Sequence, residues 1–434
     1  MPYLPALQTL LVPKQPTKSM ISRSACQKLP YLACFLVCVA IDLFFFPATT
    51  VFPDEQRFLA SAARLAATGE FWAGADRAWE MPGTALFYAP AVWAFGAQGA
   101  IIVIRVVQAV LLTAQVALVA AIARRVFGKP TVAFVAACVA AFYPFLLFYQ
   151  GLLLSETLFN TLLLSGVAAL FWWRDRGLRF DFAFALTCLL FAAATLTKAT
   201  LTILPPLLLA VATWGAGAPW RRTIAVLVAA SCLYAAFMSP WWIRNASVLH
   251  AFVPFTTSSA MNLYLGNNRN NLNAGIDWAQ DAEPDVVATL NALPDELARQ
   301  RAYAKAARDY IENNPGTFIR NAGLKFLRIW NVVPNASEYR APFYAAISIA
   351  SFGTVLVLAL ACAARQWRRW RVLAPIYMIM GYFTFVHIVT IASLRYRLPI
   401  EPLLIVMAAE SLAALIVVVR RRMVRGARMV RHVA

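Results

Sequence analysis

Two carboxylates stand side by side where the first apolar stretch ends, in Phe52-Pro53-Asp54-Glu55-Gln56-Arg57. Adjacent acids at the edge of a hydrocarbon layer are costly unless they are exposed, paired or used in function. Two readings are open. Asp54 can cap a helix that starts here, its charge favourable at a helix N-terminus. Alternatively it takes a proton in chemistry at the membrane surface. A third acid, Glu80, closes the same polar stretch in Trp79-Glu80-Met81-Pro82-Gly83. If the stretch folds back, Asp54 and Glu80 meet as a base and a ligand for a metal or a hydroxyl. Glu70 and Asp76 between them read as surface charges. Glu156, in Leu154-Ser155-Glu156-Thr157, is open in the same way, between a helix start capped by Ser155 and a site.

Four cations have the placement to face an anion. Lys198 lies between two apolar blocks, and Arg244 follows Pro240-Trp241-Trp242-Ile243 and precedes Asn245. Arg395 and Arg397 flank Tyr396 in Ser393-Leu394-Arg395-Tyr396-Arg397-Leu398-Pro399. Guanidinium groups match the geometry of a phosphate. The structural alternatives are snorkelling for Lys198 and pairing with a carboxylate such as Glu401 for the arginines. For Arg105, inside an apolar block, a structural partner is the simpler reading. There is no Gly-rich phosphate loop, dinucleotide fingerprint, paired-aspartate sugar-nucleotide motif or His cluster for zinc, so no nucleotide cofactor is expected. His250, His387 and His432 are scattered, and of these only His250 falls in an outer loop.

The elements that must position these groups are membrane helices. Apolar residues make up 61% and charged residues 14%, and mean hydropathy is +0.64. Ordinary globular domains are about half apolar and a quarter charged. Apolar blocks near the ~20 residues a crossing helix needs recur along the chain, at 29–52, 98–123, 131–150, 156–173, 180–197, 199–214, 223–243, 342–364, 372–392 and 399–419. The expected fold is all-α and polytopic, with about ten transmembrane helices. Residues 84–96 are apolar but too short to cross, and read as an interfacial or re-entrant piece.

A net charge of +19 would suit nucleic acid if it were spread over a polar surface. Instead it sits in the gaps: Arg124-Arg125, Arg174 to Arg179, Arg221-Arg222, Arg365 to Arg371 and Arg420-Arg421-Arg422. That is the positive-inside pattern, and it fixes topology without a nucleic-acid partner. Both termini come out cytoplasmic, with residues 1–28 as a leader and 420–434 as a basic tail suited to anionic headgroups. All seven cysteines lie in or beside apolar blocks, so no disulfide framework is expected.

Two segments then fall outside. Residues 53–82 carry Phe58, Ala62 and Leu65 on one side of a helix and Arg57, Ser61 and Arg64 on another, a surface-lying amphipathic pattern that Gly69 ends. Residues 244–340 are the soluble-looking stretch, Asn-rich at first, with helices expected over 295–313 and 316–330. The division is therefore a transmembrane module over 29–243 that contains the 53–82 loop, an extracytoplasmic segment over 244–340 and further membrane helices over 341–419.

Taken in order, these motifs resemble the multi-span C-superfamily glycosyltransferases, family 39-like, which include protein mannosyltransferases and aminoarabinose transferases. The run Pro53-Asp54-Glu55-Gln56-Arg57-Phe58, then Thr68-Gly69-Glu70-Phe71, is similar to the family's first outer loop. Glu80-Met81-Pro82-Gly83 resembles its Glu-x-Pro-Pro element. Leu154-Ser155-Glu156-Thr157-Leu158-Phe159, Leu196-Thr197-Lys198, Pro240-Trp241-Trp242-Ile243-Arg244-Asn245 and Asn262 to Asn268 follow in register, and Arg395-Tyr396-Arg397-Leu398-Pro399 comes last. The resemblance spans roughly residues 30 to 415.

It implies an inverting transferase that moves a sugar from a polyprenyl-phosphate donor to an acceptor hydroxyl on the outer face of a bacterial plasma membrane. The acceptor would be a cell-envelope glycan, a glycolipid or a protein. Carried over, Asp54 is the base, Glu80 a catalytic carboxylate that helps hold a divalent metal or the substrate, and Arg244, Arg395 and Arg397 the phosphate ligands. Glu55, Arg57, Glu156, Lys198, Asn245 and Tyr396 complete the expected substrate-binding set. Met81 stands where some relatives have Lys, and Pro-Pro is reduced to Pro82-Gly83, which counts against an aminoarabinose-type phosphate site; the Asn-rich Arg244–Asn273 stretch also points to a different branch, so the acceptor cannot be borrowed. The competing class is a multi-span transporter or flippase with Asp42, Arg105 and Lys198 along its path.

Overall fold

The computed structural model describes residues 18–72, 76–275, 277–335, 339 and 341–433. Most of the leader, residues 1–17, lies outside the described residues. Helix α1 (Lys18–Phe44) ends earlier than the apolar block does, because Phe46-Pro47 breaks it. A short connection leads into α2 (Pro53–Thr68), and α2 shows why this acidic pair starts a helix. Pro53 occupies the first turn, where its missing N–H costs nothing. Glu55 reaches back and accepts from the N–H groups of Val51 and Phe52, the latter at 2.9 Å. The cap position is Phe52, so Asp54 is not the N-cap; Glu55 does that work and leaves the Asp54 side chain elsewhere. Gly69 ends α2 at φ 72°, donating to the Leu65 carbonyl, as its place in the sequence predicts.

The chain re-enters through α3 (Gly83–Phe127), 45 residues long and broken by Gly96 at φ 68°, ψ 169°. That break falls where the apolar 84–96 piece ends. The next crossing is a bent pair, α4 (Pro130–Ala141) and α5 (Pro144–Gln150), which meet at 53° around Phe142-Tyr143. Helices α6 (Glu156–Asp175), α7 (Phe182–Thr197), α8 (Leu204–Gly215) and α9 (Trp220–Leu249) follow.

Between the membrane helices lies a chain of short helices: α10 (Ser259–Gly266), α11 (Trp278–Asp281), α12 (Pro284–Asn291), α13 (Glu296–Asn313) and α14 (Pro315–Trp330). Asp295 caps α13 by accepting from Leu297 and Ala298 N–H, and Pro315 opens α14, so both expected helices form close to their expected bounds. This segment is pinned to the membrane helices. Lys325, fully buried, donates toward Asn267 Oδ1 at 3.3 Å and the Val389 carbonyl at 3.5 Å. A crossing built from α15 (Pro342–Ser348), one π-turn and α16 (Thr354–Arg365) comes next, then α17 (Trp370–Val389) and α18 (Glu401–Val433).

Every expected span coincides with helix. Six helices among the described residues are long and apolar enough to cross a membrane, or up to seven with the bent pair counted as one. The shortfall against about ten has physical reasons: α7 and α8 have 16 and 12 residues, under the ~20 of a full crossing, and α6 has the length but is diluted by Glu156, Asn160, Arg174 and Asp175. The core runs through α3, α4, α6, α7, α17 and α18, with Trp173, Phe159, Phe171, Phe191 and Phe383 wholly enclosed. Arginines gather at the end of the bundle where α3 stops. There Arg125 pairs with Asp175 at 3.0 Å, and Arg369 donates to the Val126 carbonyl at 2.8 Å. The acids gather at the other end.

Candidate active site

At that other end the chain between α5 and α6 is unwound, and its backbone groups are collected by side chains from two helices, α2 and α3. Arg105 of α3 donates to the Gly151 carbonyl at 2.9 Å and to Pro47 and Thr49 beyond α1, the structural role expected of it. Gln108 donates to Gln150 and Leu152, and Tyr88 to Leu154 at 3.0 Å. Glu55 Oε1 accepts from Leu153 N–H at 2.7 Å. These bonds satisfy backbone groups that burial would otherwise penalise. They also fix the start of α6, and with it Glu156.

Glu156 is 2% exposed and carries two cations. Lys198, at the end of α7, donates to its Oε1 at 2.8 Å. Arg395, from the turn before α18, reaches Oε1 at 2.5 Å and Oε2 at 3.2 Å. The same guanidinium donates to Asp54 Oδ2 at 2.6 Å. Asp54 Oδ1 meets Arg57 at 3.0 Å, one turn on, and Arg57 also donates to Glu80 at 3.0 Å. Ser61 Oγ completes the row, 3.4 Å from Glu80 Oε1. Asp54, Arg57, Glu80, Glu156, Lys198 and Arg395, six of the expected residues, thus form one alternating chain of charge. Such pairs are strong where water is scarce.

Burial works against the charge on Asp54, but Arg395 and then Arg57 outweigh it and hold the carboxyl below its usual range. Burial wins at Glu80 and pushes its carboxyl up, despite Arg57. Two acids joined by one guanidinium are therefore held in opposite senses, an ionised acceptor beside a carboxyl biased toward its proton.

The remaining expected residues lie elsewhere. Glu55 is wholly buried and spent on the backbone of its own cap and of Leu153. Arg244 donates to the carbonyls of Arg77 and Phe71 and to Asn245 Oδ1, so it ties the loop after α2 to α9. Asn245 donates to the Val253 carbonyl at 2.8 Å. Arg397 is 0% exposed, paired with Glu401 at 2.5 Å and bonded to the Ile329 and Asn331 carbonyls. It bridges α14 to α18 and does not line the cavity that holds Asp54 and Arg395. Position on the outer side is shared by phosphate ligands and by arginines that cap carbonyls, and the sequence does not separate them. Tyr396 stands next to the cluster, its ring 5.8 Å from Lys198 Nζ and stacked on His387 at 4.3 Å. His387 and Ser61 belong to the neighbourhood without having been expected there.

Asp54 and Arg395 sit in the wall of a cavity of about 600 Å³. Its other walls are mostly apolar: Phe145, Phe148 and Tyr149 from α5, Leu152 and Leu154 from the unwound loop, Tyr344 and Ile347 from α15. The bend between α4 and α5 is what turns Phe145 and Phe148 into it. A metal is a poorer fit. Among the described residues no three His, Cys, Asp or Glu side chains gather as a ligand set, and the space between Asp54 and Glu80 holds the Arg57 guanidinium.

No protein-family model matches the chain, and no curated protein matches it either. Solved structures do. Oligosaccharyltransferase AglB from Archaeoglobus fulgidus, in complex with an inhibitory peptide and a dolichol-phosphate, superposes at TM-score 0.57 and 12% identity over 93% of this chain and 52% of that one. The same enzyme tethered to an acceptor peptide containing the NVT sequon gives 0.52 and 14%, over 90% and 50%. ArnT from Cupriavidus metallidurans bound to undecaprenyl phosphate covers 91% and 78% at 15% identity, but at 0.43 that likeness is too loose to build on. This chain spans about half the length of the oligosaccharyltransferase it matches. The likeness establishes the fold, one shared with that oligosaccharyltransferase and in line with the all-α polytopic architecture expected from the sequence.

Proposed function

We propose that the chain is an inverting glycosyltransferase that takes its sugar from a polyprenyl-phosphate donor. One observation carries the reading: an acid held by two arginines stands at the edge of a large apolar cavity among membrane helices. An apolar cavity suits the isoprenoid chain, and the cations beside it suit a phosphate. Arg395 is the phosphate ligand. Donor phosphate competes with Asp54 for its guanidinium, and binding frees Asp54 Oδ2. The acceptor hydroxyl then gives its proton to Asp54 as its oxygen bonds to the sugar anomeric carbon. The bond from that carbon to the phosphate oxygen breaks, and the polyprenyl phosphate leaves with the electron pair. Glu156 and Lys198 hold Arg395 in place, and Glu80 aligns Arg57 and Asp54. Attack opposite the leaving group inverts the anomeric centre. If a divalent ion binds, Glu80 and Asp54 are the acids to hold it, with Arg57 displaced, and it would add positive charge near the phosphate.

An outer-face site is supported by the arginine clusters at the opposite end of the bundle, since positively charged loops favour the cytoplasmic side. The bacterial plasma membrane is the compartment we assign. Transfer of radiolabelled sugar from polyprenyl phosphate, in membranes carrying wild type or Asp54→Asn, is the test. Loss of a general base costs about 10²- to 10⁴-fold in rate, and the variant is expected in that range with the wild-type amount inserted. Equal transfer by the two would remove Asp54 from the mechanism.

A further inference from the structure

A second groove, of about 490 Å³, opens on the other side of the acid-bearing loop. The chain that borders it includes Arg77 and Pro82, which bracket Glu80 in the sequence, and Arg57 joins Glu80 to the Asp54 that lines the donor cavity. Its floor is membrane helix: Leu86 near the start of α3, Leu196 near the end of α7 and Phe237 of α9. Leu86 is 49% exposed. Helix α9 is apolar enough to cross a membrane, yet little of it is covered by protein, so this floor continues into a lipid-facing surface.

The rim has different chemistry. Trp72 lies between two guanidinium groups, Arg64 at 4.2 Å and Arg77 at 4.1 Å from its ring. Arg64 pairs with Glu70, the acid on this rim, at 3.5 Å. Arg244 is engaged by the Phe71 and Arg77 carbonyls. The Arg77 guanidinium has no carboxylate or carbonyl partner among the described residues, only the face of Trp72. An arginine fixed on an aromatic ring and left without an anion, above an apolar floor, is complementary to a phosphate headgroup on an acyl chain.

We infer that this groove binds an anionic lipid, with its phosphate against Arg77 and its first methylenes along Leu86 and Phe237, and that a headgroup hydroxyl of that lipid is the sugar acceptor. The acceptor role rests on the transferase reading above. In the reaction the headgroup oxygen bonds to the anomeric carbon, its proton passes to Asp54, and the carrier phosphate departs.

The test uses the full chain purified in detergent and native mass spectrometry with phosphatidylglycerol or phosphatidylcholine as the added lipid. Wild type is expected to retain phosphatidylglycerol at least tenfold more tightly. Arg77→Ala should remove that preference. Leu86→Trp, which fills the floor from a half-exposed position without touching the loop, should weaken retention of both lipids. Wild-type retention by both variants overturns the groove as a lipid site, and Leu86→Trp decides this even if Arg77→Ala does not fold. Label transferred from polyprenyl phosphate should enter the chloroform-extractable fraction and fall in both variants. Label found only in protein or water-soluble glycan overturns the acceptor role. Wild type that transfers to nothing sinks the transferase reading instead, and retention still decides the groove.

Discussion

Asp54 and Glu80 share one guanidinium, yet they couple to pH in opposite directions. The Asp54 carboxyl is held below its usual range, so its ionised form favours the folded state. That contribution is complete above the unfolded value of about 3.9 and disappears as pH falls through the lower folded value. Asp54→Asn should therefore melt below wild type at pH 7, with the deficit closing under strongly acid conditions. Glu80 is pushed up by burial, so its ionised form disfavours the fold. The penalty is full above the folded value and absent below the unfolded value of about 4.3. Glu80→Gln is expected to melt no lower than wild type at pH 7.5, with any advantage gone by about pH 4, while transfer falls because Arg57 loses an anchor. Thermal melts of both variants in detergent between pH 4 and pH 8 read the two signs. A Glu80→Gln variant that melts well below wild type at pH 7.5 would mean that Arg57 outweighs burial at that acid.

Elements carry the site because two contacts leave no slack. Gly266, the last residue of α10, packs against the end of α17 so closely that a Cβ would sit 1.8 Å from the Thr390 carbonyl oxygen. That oxygen is backbone and cannot rotate away, and overpacking of this kind costs about 1–3 kcal/mol. Gly266→Ala is expected to lower the melting temperature and to weaken transfer, since Thr390 leads directly into the turn that bears Arg395; unchanged melting would show that α10 and α17 are free to part. The second contact is the Arg397–Glu401 pair, 0% exposed on both sides. Removing one member of a buried pair costs about 3–5 kcal/mol, whereas replacing both by apolar residues of similar size is often neutral. Glu401→Leu should be recovered poorly from membranes, and Arg397→Met with Glu401→Leu should restore yield. The Gly266–Thr390 contact joins residues far apart in the chain and was not legible beforehand, whereas Arg397 and Glu401 are four residues apart and their pairing was the structural alternative the sequence offered. The helices were legible, because capping and breaking are local: Pro53, Gly69, Asp295 and Pro315 sit where elements begin or end. Asp54, Glu80, Glu156, Lys198 and Arg395 were recognisable one at a time. No spacing connects positions 54 and 395, and only the ordered motifs gave reason to group them. Arg244 and Arg397 show the converse, since a cation on the right side of the bundle can be spent on structure, Arg244 on backbone carbonyls and Asn245, and Arg397 on Glu401 and two carbonyls.

For the whole molecule, charge is divided between the two ends of the bundle. The arginine clusters at the ends of α3 and α6 and the start of α9 form one pole, and the acid cluster with the 250–341 segment forms the other. Positively charged loops stay on the cytoplasmic side during insertion, so this division predicts an orientation that can be checked without any assumption about activity. Asn313, exposed at the end of α13, and Arg179, exposed between α6 and α7, mark the two poles. Each can be changed to Cys; all seven native cysteines lie within helices, and of the six whose side chains are described only Cys232 is exposed. In intact cells a membrane-impermeant maleimide is expected to label Asn313→Cys and to reach Arg179→Cys only after permeabilisation. The reverse pattern would put the acids on the cytoplasmic side and remove an outer-face donor from consideration. Labelling of both sites in intact cells would mean that α7 to α9 do not separate the poles across a bilayer. The short α7 and α8, at 16 and 12 residues, make that outcome a direct test of whether helices below full spanning length still cross when packed within the bundle.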